Sequence, residues 1–529
     1  MSRFPHSRLF IGTVRSVVIT GPHIQVLDTS TGNILHSTAN FSAQDRDAVI
    51  KSGPIRCAAT NYDNTYLATA GDDKCLKVWD VKSLALMNAR ELPKKPTAIL
   101  FTERDDILVA DKFGDVTRYM LHPRLSVTSK TRVDDLSASH VYPSDGFLVL
   151  GHTSVITACH LSPDEKHIVT SDRDEHIRVS LYPEAFAIKC YCLGHGKYVS
   201  AIHIPQYEPD FLISGGGDPD LKIWEWQMGF LDQTVAVFSA VDPFILVKAP
   251  KRRLKSQNGG DDDAVIIDAG SGRRKKKTKH KQVALRGDSE DPTTDSPAGV
   301  SSQDPAGTET VFVIHKIDSF LSEWGNCIVF SAVGATALFA FPLFELKGHD
   351  GPRVCHFDCG SPIIDFTIAS NDLIWILLDA DYGGKAKPGS AGKLVRVVDW
   401  QADKFLEVDS SPLLQSLNST CVIPGSYDPL KALDLYSDLV SLPKHVDGEP
   451  GSQEREQSEL PEDLEGSGTS VGIEKSLPKR TLGRLKHKNA LKRLLQEEGE
   501  SADSATRDTK RPKVEDSEDP SEDMSMDLT

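Results

Sequence analysis

Short segments that alternate apolar and polar residues dominate the chain as far as about Ile245. Examples are TYLATAGDDKCLKVWD, DILVADKFGDVTRYM and HIVTSDRDEHIRVS, which are separated by residues rich in Gly, Asp and Asn. The same pattern resumes near Thr310 with TVFVIHKI, CIVFSAV and LIWILLDA, and it fades near Leu442. A period of two residues, interrupted by turn formers, indicates half-buried β-strands. The pattern therefore predicts an all-β fold whose strands lie in residues 1–250 and 309–443.

Two polar stretches separate and follow these strands. Residues 251–308 contain KRRLK, GGDDD and GRRKKKTKHK, and residues 444–529 are similarly poor in apolar side chains. Such segments bury too little apolar surface to offset the entropy lost on ordering. We therefore predict a disordered basic and acidic insertion and a disordered tail. Within the tail, the leucines of residues 482–496 can line one side of a short basic helix.

A motif recurs near the ends of several predicted strands. It is found as DKCLKVW at 73–79, GDVTRY at 114–119, DEHIRVS at 174–180 and DPDLKIW at 218–224. A repeat of about 40–45 residues that opens with Gly-His and closes with a Trp is the signature of WD-repeat β-propellers. Together with weaker segments on both sides of the insertion, the repeat predicts a seven-bladed propeller.

Two of these repeats carry the polar residues that form a buried hydrogen-bonded chain inside such blades. In the clearer copy the predicted members are His195, Ser214, Asp218 and Trp224. In the preceding copy they are His152, Thr170 and Asp174, and Ser180 stands where the Trp is expected. We interpret all of these residues as structural rather than catalytic.

Composition narrows the class of protein. The chain carries 76 Asp+Glu against 60 Lys+Arg, which argues against a protein that coats nucleic acid along its whole surface. Its nine cysteines lack the spacing of a disulfide framework, so reduced thiols are expected. No apolar run is long enough to span a membrane, and the N-terminal residues lack the apolar region of a signal peptide. We expect a soluble intracellular protein.

No motif in the chain indicates catalysis, a cofactor or a metal. Glycines 215–217 are followed by a further strand, LKIWEW, instead of the helix that a nucleotide-binding loop requires. The pairs Cys190/Cys192 and Cys355/Cys359 do not have the ligand spacing of structural zinc sites. The sequence therefore predicts a non-catalytic protein.

Two basic runs, RRKKKTKHK at 273–281 and KRPK at 510–513, have the composition of nuclear import signals. Each run taken alone is equally compatible with a solvated charged segment or with contacts to nucleic-acid phosphate. Because two such runs occur in one chain, we predict a nuclear protein.

Three stretches resemble one family closely. They are ADKFGDVTRY at 110–119, the segment from GHTSVITACH to CYCLGH at 151–195, and LISGGGDPDLKIWEW at 212–226. All three resemble the WD-repeat non-catalytic subunit of the tRNA (guanine-N7-)-methyltransferase, and the size and acidic C-terminus look like those of fungal members. The resemblance implies a heterodimer with a separate catalytic subunit. That partner carries S-adenosylmethionine and forms N7-methylguanosine in the variable loop of tRNA. The resemblance implies that this chain meets tRNA through the complex.

The resemblance also implies where the partner docks. In the family the partner meets the blade that carries the DRDE-x-IR motif and the blade that follows it. The corresponding residues of this chain are Arg178, Lys222, Asp172, Arg173 and Asp174. We expect Arg178 and Lys222 to present positive charge on a solvated rim. Because Lys77 holds the same position in another blade, an ordinary solvated strand edge is the alternative.

Two other functional hypotheses remain open at this point. A general nuclear WD-repeat scaffold for chromatin or ribosome assembly would use the basic insertion as an arm for nucleic acid. A stand-alone methyltransferase would bind S-adenosylmethionine itself, which the sequence does not lead us to expect.

Overall fold

Seven four-stranded antiparallel sheets make up most of the computed structural model. The structure describes residues 3–122, 145–251, 307–323, 325–343, 352–384 and 392–443. In every sheet the four strands are adjacent in the order in which they occur along the chain. This is the architecture of a seven-bladed β-propeller, as the repeat predicts. Among the described residues, no helix has the length and apolar character needed to cross a bilayer.

Blades 1 to 4 precede the middle of the chain. Blade 1 consists of β1 (His6–Ile11), β2 (Arg15–Thr20), β3 (His23–Asp28) and β4 (Ile34–Ser37). Blade 2 consists of β5 (Ile55–Thr60), β6 (Tyr66–Gly71), β7 (Cys75–Asp80) and β8 (Ala85–Glu91). Blade 3 consists of β9 (Pro96–Phe101), β10 (Ile107–Asp111), β11 (Asp115–Tyr119) and β12 (Phe147–Gly151). Blade 4 consists of β13 (Ile156–Leu161), β14 (His167–Asp172), β15 (Ile177–Leu181) and β16 (Ile188–Cys192).

Blades 5 to 7 lie on both sides of the predicted insertion. Blade 5 consists of β17 (Val199–His203), β18 (Phe211–Gly216), β19 (Asp220–Glu225) and β20 (Phe230–Ala236). A two-stranded ribbon follows, formed by β21 (Ala249–Pro250) and β22 (Thr308–Glu309). Blade 6 consists of β23 (Ile314–Ser322), β24 (Gly325–Ala332), β25 (Ala337–Pro342) and β26 (Cys355–Asp358). Blade 7 consists of β27 (Ile363–Ile368), β28 (Ile374–Leu378), β29 (Val395–Gln401) and β30 (Lys404–Glu407).

Burial differs between the strands of one blade. The second strand is almost wholly buried, as in β18, because both faces of the sheet pack against neighbouring blades. The fourth strand is largely exposed, as in β8 and β20. The core therefore consists of wedges between blades; the wedge of blades 5 and 6 includes Ile223, Phe330 and Phe339. Burying each such side chain contributes about 1.5–3 kcal/mol to folding.

The C-terminal part of the described chain joins the last blade to the first. It contains α3 (Pro412–Asn418), α4 (Tyr427–Lys431) and α5 (Asp438–Ser441), whereas the sequence pattern predicts strands as far as residue 443. The backbone N–H of Phe4 donates to the carbonyl of Ile423 at 2.9 Å, and Nε2 of His6 lies 2.9 Å from the carbonyl of Leu417. Strand β1 also lies against β27. The ring is closed by these contacts.

The β21–β22 ribbon lies where the insertion leaves and re-enters the propeller. The backbone N–H of Lys251 donates to the carbonyl of Gly307 at 2.7 Å, so the chain departs and returns at one point between blades 5 and 6. The sequence predicts the insertion at residues 251–308, and its two ends, Lys251 and Thr308, belong to the described residues, with Thr308 in β22. The rest of it, residues 252–306, and the predicted tail at 444–529 with its basic helix at 482–496 lie outside the described residues.

Two short helices accompany the blades. Helix α1 (Ala43–Ser52) connects blades 1 and 2, and α2 (Phe238–Val241) follows blade 5. Helix α1 begins at the cap Ser42, whose hydroxyl accepts the backbone N–H of Asp45 at 3.3 Å, and it ends before Gly53, which has a φ of 78°. Such a side-chain cap satisfies an N–H at the helix start, and a left-handed glycine is a common helix terminator.

Candidate protein-docking site

Blade 5 contains a continuous hydrogen-bonded chain of four buried side chains. Nδ1 of His195 lies 2.7 Å from Oδ2 of Asp218, and Nε2 lies 2.7 Å from Oγ of Ser214. The indole Nε1 of Trp224 donates to the same Ser214 oxygen at 2.7 Å. Burial raises the pKa of Asp218, but its hydrogen bonds, above all with His195, outweigh this and hold the pKa below its usual value. This hydrogen-bonded chain connects the loop before β17 to β18 and β19.

Blade 4 builds the corresponding chain from a different carboxylate. Nε2 of His152 lies 2.7 Å from Oγ1 of Thr170, and Nδ1 lies 3.1 Å from Oδ2 of Asp172. The residue that pairs with His152 is therefore Asp172, and the sequence-based assignment of Asp174 to this chain is wrong. Asp172 is also only 2% exposed, so it cannot offer its carboxylate to a partner as the docking expectation requires.

Strand register explains the change of carboxylate. Asp172 is opposite Ile156 in blade 4, and Gly216 is opposite Val199 at the same place in blade 5. A Cβ at Gly216 would overlap the carbonyl oxygen of Tyr198, so no side chain fits there in blade 5. In blade 4 the position accepts Asp172, whose Oδ1 also takes the backbone N–H of Asp174 at 2.8 Å. The two blades thus satisfy their histidines from positions two residues apart.

Arg178 completes the interior of blade 4. Its Nε donates to Oγ of Ser180 at 2.8 Å, Nη1 to the carbonyl of Gly151 at 3.0 Å, and Nη2 to the carbonyl of Ala185 at 2.8 Å. Arg178 is 7% exposed. The expectation that it lies on a solvated rim is wrong, because its guanidinium is enclosed by neutral acceptors within the blade.

The Arg178 guanidinium takes the place of the missing tryptophan. Ser180 is opposite Ile168 just as Trp224 is opposite Leu212, so Ser180 holds the tryptophan position. In blade 5 the indole of Trp224 approaches Gly194, which precedes the blade histidine. In blade 4 the guanidinium reaches Gly151, which precedes His152. The small Ser180 leaves room that the arginine fills.

Lys222 likewise points into its own blade. It is 8% exposed, and its ammonium lies 2.8 Å from Oδ2 of Asp220. Lys77, at the same position of blade 2, also pairs with a carboxylate of its own blade, that of Asp73 at 2.6 Å. The structure therefore contradicts a solvated rim for Lys222 as well as for Arg178.

The exposed part of this region is a corner of blade 4 next to the DRDE turn. We call His176, Tyr191 and Leu193 the blade 4 corner. Tyr191 is 41% exposed and Leu193 62% exposed, and the rings of His176 and Tyr191 meet edge to face with centroids 6.4 Å apart. Continuing the register in which Ile177 faces Cys192 places His176 opposite Leu193. Sequence reasoning missed this corner, because exposure of an outer strand cannot be read from alternation alone.

The turn that leads to His176 carries charged residues. Arg173 and Asp174 are half-buried in the turn between β14 and β15, and Nη1 of Arg173 lies 3.5 Å from the carbonyl of Ser441. Exposed aromatic and aliphatic side chains beside charges are the composition of protein–protein contact surfaces. The corner therefore has the chemistry of a docking site.

The residues weighed as a phosphate loop or metal ligands have structural surroundings. A Cβ at Gly217 would lie 2.7 Å from the ring of Tyr198, so close packing accounts for this glycine. Burial raises the pKa of Cys192 and of Cys359 to about 12, which keeps both thiols protonated. Across the described part of the chain, no three His, Cys, Asp or Glu side chains converge to hold a metal ion.

One protein-family model matches part of the chain. The model of the tRNA methyltransferase TRM82 WD40 domain matches residues 36–144 and 134–287. The tRNA (guanine-N(7)-)-methyltransferase non-catalytic subunit wdr4 of Dictyostelium discoideum is 38% identical over 211 residues, which are 38% of this chain and 44% of that protein. The non-catalytic subunit trm82 of Aspergillus oryzae is 34% identical over 227 residues, which are 34% of this chain and 46% of that protein. The chain thus spans less than half the length of these relatives.

One solved structure is similar to the chain over most of its length. The crystal structure of RRP9 WD40 repeats aligns with a TM-score of 0.45 and 13% sequence identity, covering 72% of this chain and 89% of that chain. A likeness at this level carries no argument about function.

Proposed function

We propose that this chain, whose residues 36–287 match the model of the TRM82 WD40 domain, is the non-catalytic subunit of a tRNA (guanine-N7-)-methyltransferase. The family match is the observation that carries the proposal. In the proposed complex a separate catalytic subunit holds S-adenosylmethionine and methylates N7 of a guanine in the variable loop of tRNA. This chain binds and stabilises that subunit in a heterodimer.

The blade 4 corner is the proposed docking site for the catalytic subunit. Tyr191 and Leu193 supply the apolar contact, and Arg173 and Asp174 lie in the turn that leads to His176. Apolar and aromatic side chains that become fully desolvated carry most of the binding energy of an interface, whereas charges at its rim contribute less.

Three residues that the resemblance implicates in docking act here through the blade. Asp172 and Arg178 hold the turn and the interior of blade 4, and Lys222 pairs with Asp220 inside blade 5. We assign them as positioning residues: they keep the corner and the neighbouring loop in place, and the partner touches at most their exposed edges.

Affinity purification of paired variants tests this function. Tyr191→Ala combined with Leu193→Asp removes the apolar contact, and both residues are exposed, so the propeller should remain folded. We expect loss of the co-purified methyltransferase and of N7-methylguanosine in tRNA from cells that carry this variant. The matched control is Phe186→Ala with Ile188→Asp, which changes exposed apolar residues near the other end of β16.

The proteins recovered with the wild-type chain separate the hypotheses. A single methyltransferase at equal stoichiometry by native mass spectrometry agrees with the heterodimer. Recovery of ribosomal or histone proteins without a methyltransferase would contradict it and favour the nuclear scaffold. Binding of S-adenosylmethionine by the isolated chain would instead favour a stand-alone enzyme.

We also propose that the protein acts in the nucleus. The two basic runs at 273–281 and 510–513 support this proposal by their composition. Deleting both runs from a tagged protein should move it to the cytoplasm, as seen by fluorescence microscopy. An unchanged nuclear signal would contradict import through these runs.

A further inference from the structure

One position of the blade is filled differently in blade 2 than in blades 3, 4 and 5. It lies four residues before the start of the inner strand. His195 fills it in blade 5, His152 in blade 4 and the buried Leu92 in blade 3. In blade 2 the equivalent residue is Lys51, near the end of α1, and it is exposed. Blade 2 therefore lacks the side chain that occupies this interior space in the next three blades.

The other members of the hydrogen-bonded chain are present in blade 2. Nε1 of Trp79 donates to Oγ1 of Thr69 at 2.9 Å, as Trp224 does to Ser214 in blade 5. Asp73 holds the position of Asp218 and pairs with the ammonium of Lys77 at 2.6 Å. The interior of blade 2 thus contains the hydroxyl, carboxylate and indole of a WD-repeat blade but no histidine at this position.

A cavity of about 430 Å³ lies where the side chain is missing. Its walls are mainly apolar and include Phe41, Val49, Trp79 and Leu84. The ammonium of Lys77 enters from one side and donates to Oγ of Ser52 at 2.8 Å as well as to Asp73. Pockets of about 300–1,000 Å³ with apolar walls and a few polar groups are typical small-molecule sites.

We propose that this cavity binds a small, mainly apolar carboxylic acid. The ring or chain of the ligand lies between Trp79 and helix α1, and its carboxylate accepts a hydrogen bond from the Lys77 ammonium. An ammonium has three donors, and Asp73 and Ser52 take two of them. Helix α1 contains no buried residue, so it is the wall that can adjust to a ligand.

Binding of 2-naphthoate to the full-length chain tests the proposal by isothermal titration calorimetry. We expect saturable binding at one site, with the thermal unfolding temperature rising as ligand is added. Val49→Trp, which fills the cavity from α1, should abolish binding. The matched control Asp47→Trp places the same side chain on the exposed face of the same helix and should change the affinity by no more than about twofold.

A second variant tests the polar contact. Lys77→Met keeps the length of the side chain and removes the ammonium, so affinity for 2-naphthoate should fall at least about tenfold. Affinity for the neutral analogue 2-naphthalenemethanol should remain close to that of the wild type. The proposal is overturned if wild-type chain does not bind 2-naphthoate saturably, or if Val49→Trp binds it as well as Asp47→Trp does. The proposal is also overturned if Lys77→Met lowers the affinity for 2-naphthoate and for 2-naphthalenemethanol by the same factor.

Discussion

Blades 4 and 5 solve the same packing problem with different side chains. Blade 5 joins His195, Ser214, Asp218 and Trp224 in one hydrogen-bonded chain. Blade 4 takes its carboxylate two residues earlier, at Asp172, and replaces the indole with the guanidinium of Arg178. The difference shows that charge in a propeller strand need not mark a binding surface, because a cation can fill the space left by a missing aromatic ring.

The largest predicted effect is in blade 5. Trp224→Ala removes a fully buried ring and should lower the free energy of unfolding by about 3–5 kcal/mol, because a cavity remains. Ser180→Ala, at the same position of blade 4, should have a smaller effect of about 1–3 kcal/mol, because it removes only the acceptor for Arg178 Nε. Urea denaturation measures both. Equal losses would contradict the idea that the two blades fill this position differently.

The substitution Arg178→Met should have the next largest effect on stability. It leaves the carbonyls of Gly151 and Ala185 without their donors, so we expect a loss of about 1–3 kcal/mol in the free energy of unfolding. Arg178→Lys keeps the charge but cannot reach three acceptors at once, so it should not restore full stability. If Arg178→Lys were as stable as the wild type, charge rather than the guanidinium geometry would be what the blade needs.

The stability of the protein at low pH tests the roles of the two carboxylates, Asp172 and Asp218. In Asp172, as in Asp218, burial raises the pKa, but hydrogen bonds to the blade histidine and backbone outweigh this and leave the pKa below the usual 3.8. Since the folded-state pKa is depressed, each group contributes stability above about pH 3.8, and that contribution is lost as the pH falls through the lower folded-state value. Asp172→Asn and Asp218→Asn should each reduce the loss of stability between pH 5 and pH 2, as followed by circular dichroism. An acid transition that is unchanged in both variants would contradict this.

The smallest expected effect is at Lys222. The two side chains of its ion pair with Asp220 keep 11% and 17% of their surface exposed, so water still reaches both groups and the coupling energy should be about 1 kcal/mol or less. A double-mutant cycle with Lys222→Met and Asp220→Asn measures it. A much larger coupling would show that this pair, like Arg178, is essential to its blade.

Sequence reasoning reached the fold because strand alternation and the repeat period depend on local residues. In blade 5, the residues that the spacing selects are the ones that the structure joins. In blade 4, Asp172 and Asp174 both fit a turn, and only the strand register decides between them. The burial of Arg178 depends on the hole left by Ser180, and an alternating charged strand gives no sign of that hole.

For a related reason, the blade 4 corner and the blade 2 cavity could not be predicted from the sequence. Tyr191 lies on an outer strand whose exposure is set by which blade face stays uncovered. The cavity depends on where α1 places Lys51 relative to blade 2. Both are properties of packing between elements, which the alternation of residues within one strand does not report.

The most direct test measures partner affinity and stability together for two variants. The corner variant Tyr191→Ala with Leu193→Asp should lose affinity for the catalytic subunit in calorimetric titration while its unfolding temperature stays near that of the wild type. Arg178→Met should unfold at lower temperature, and the fraction that remains folded should still bind the partner. If Arg178→Met kept full stability and lost the partner, Arg178 would belong to the interface, and its assignment as the residue that fills the interior of blade 4 would be wrong.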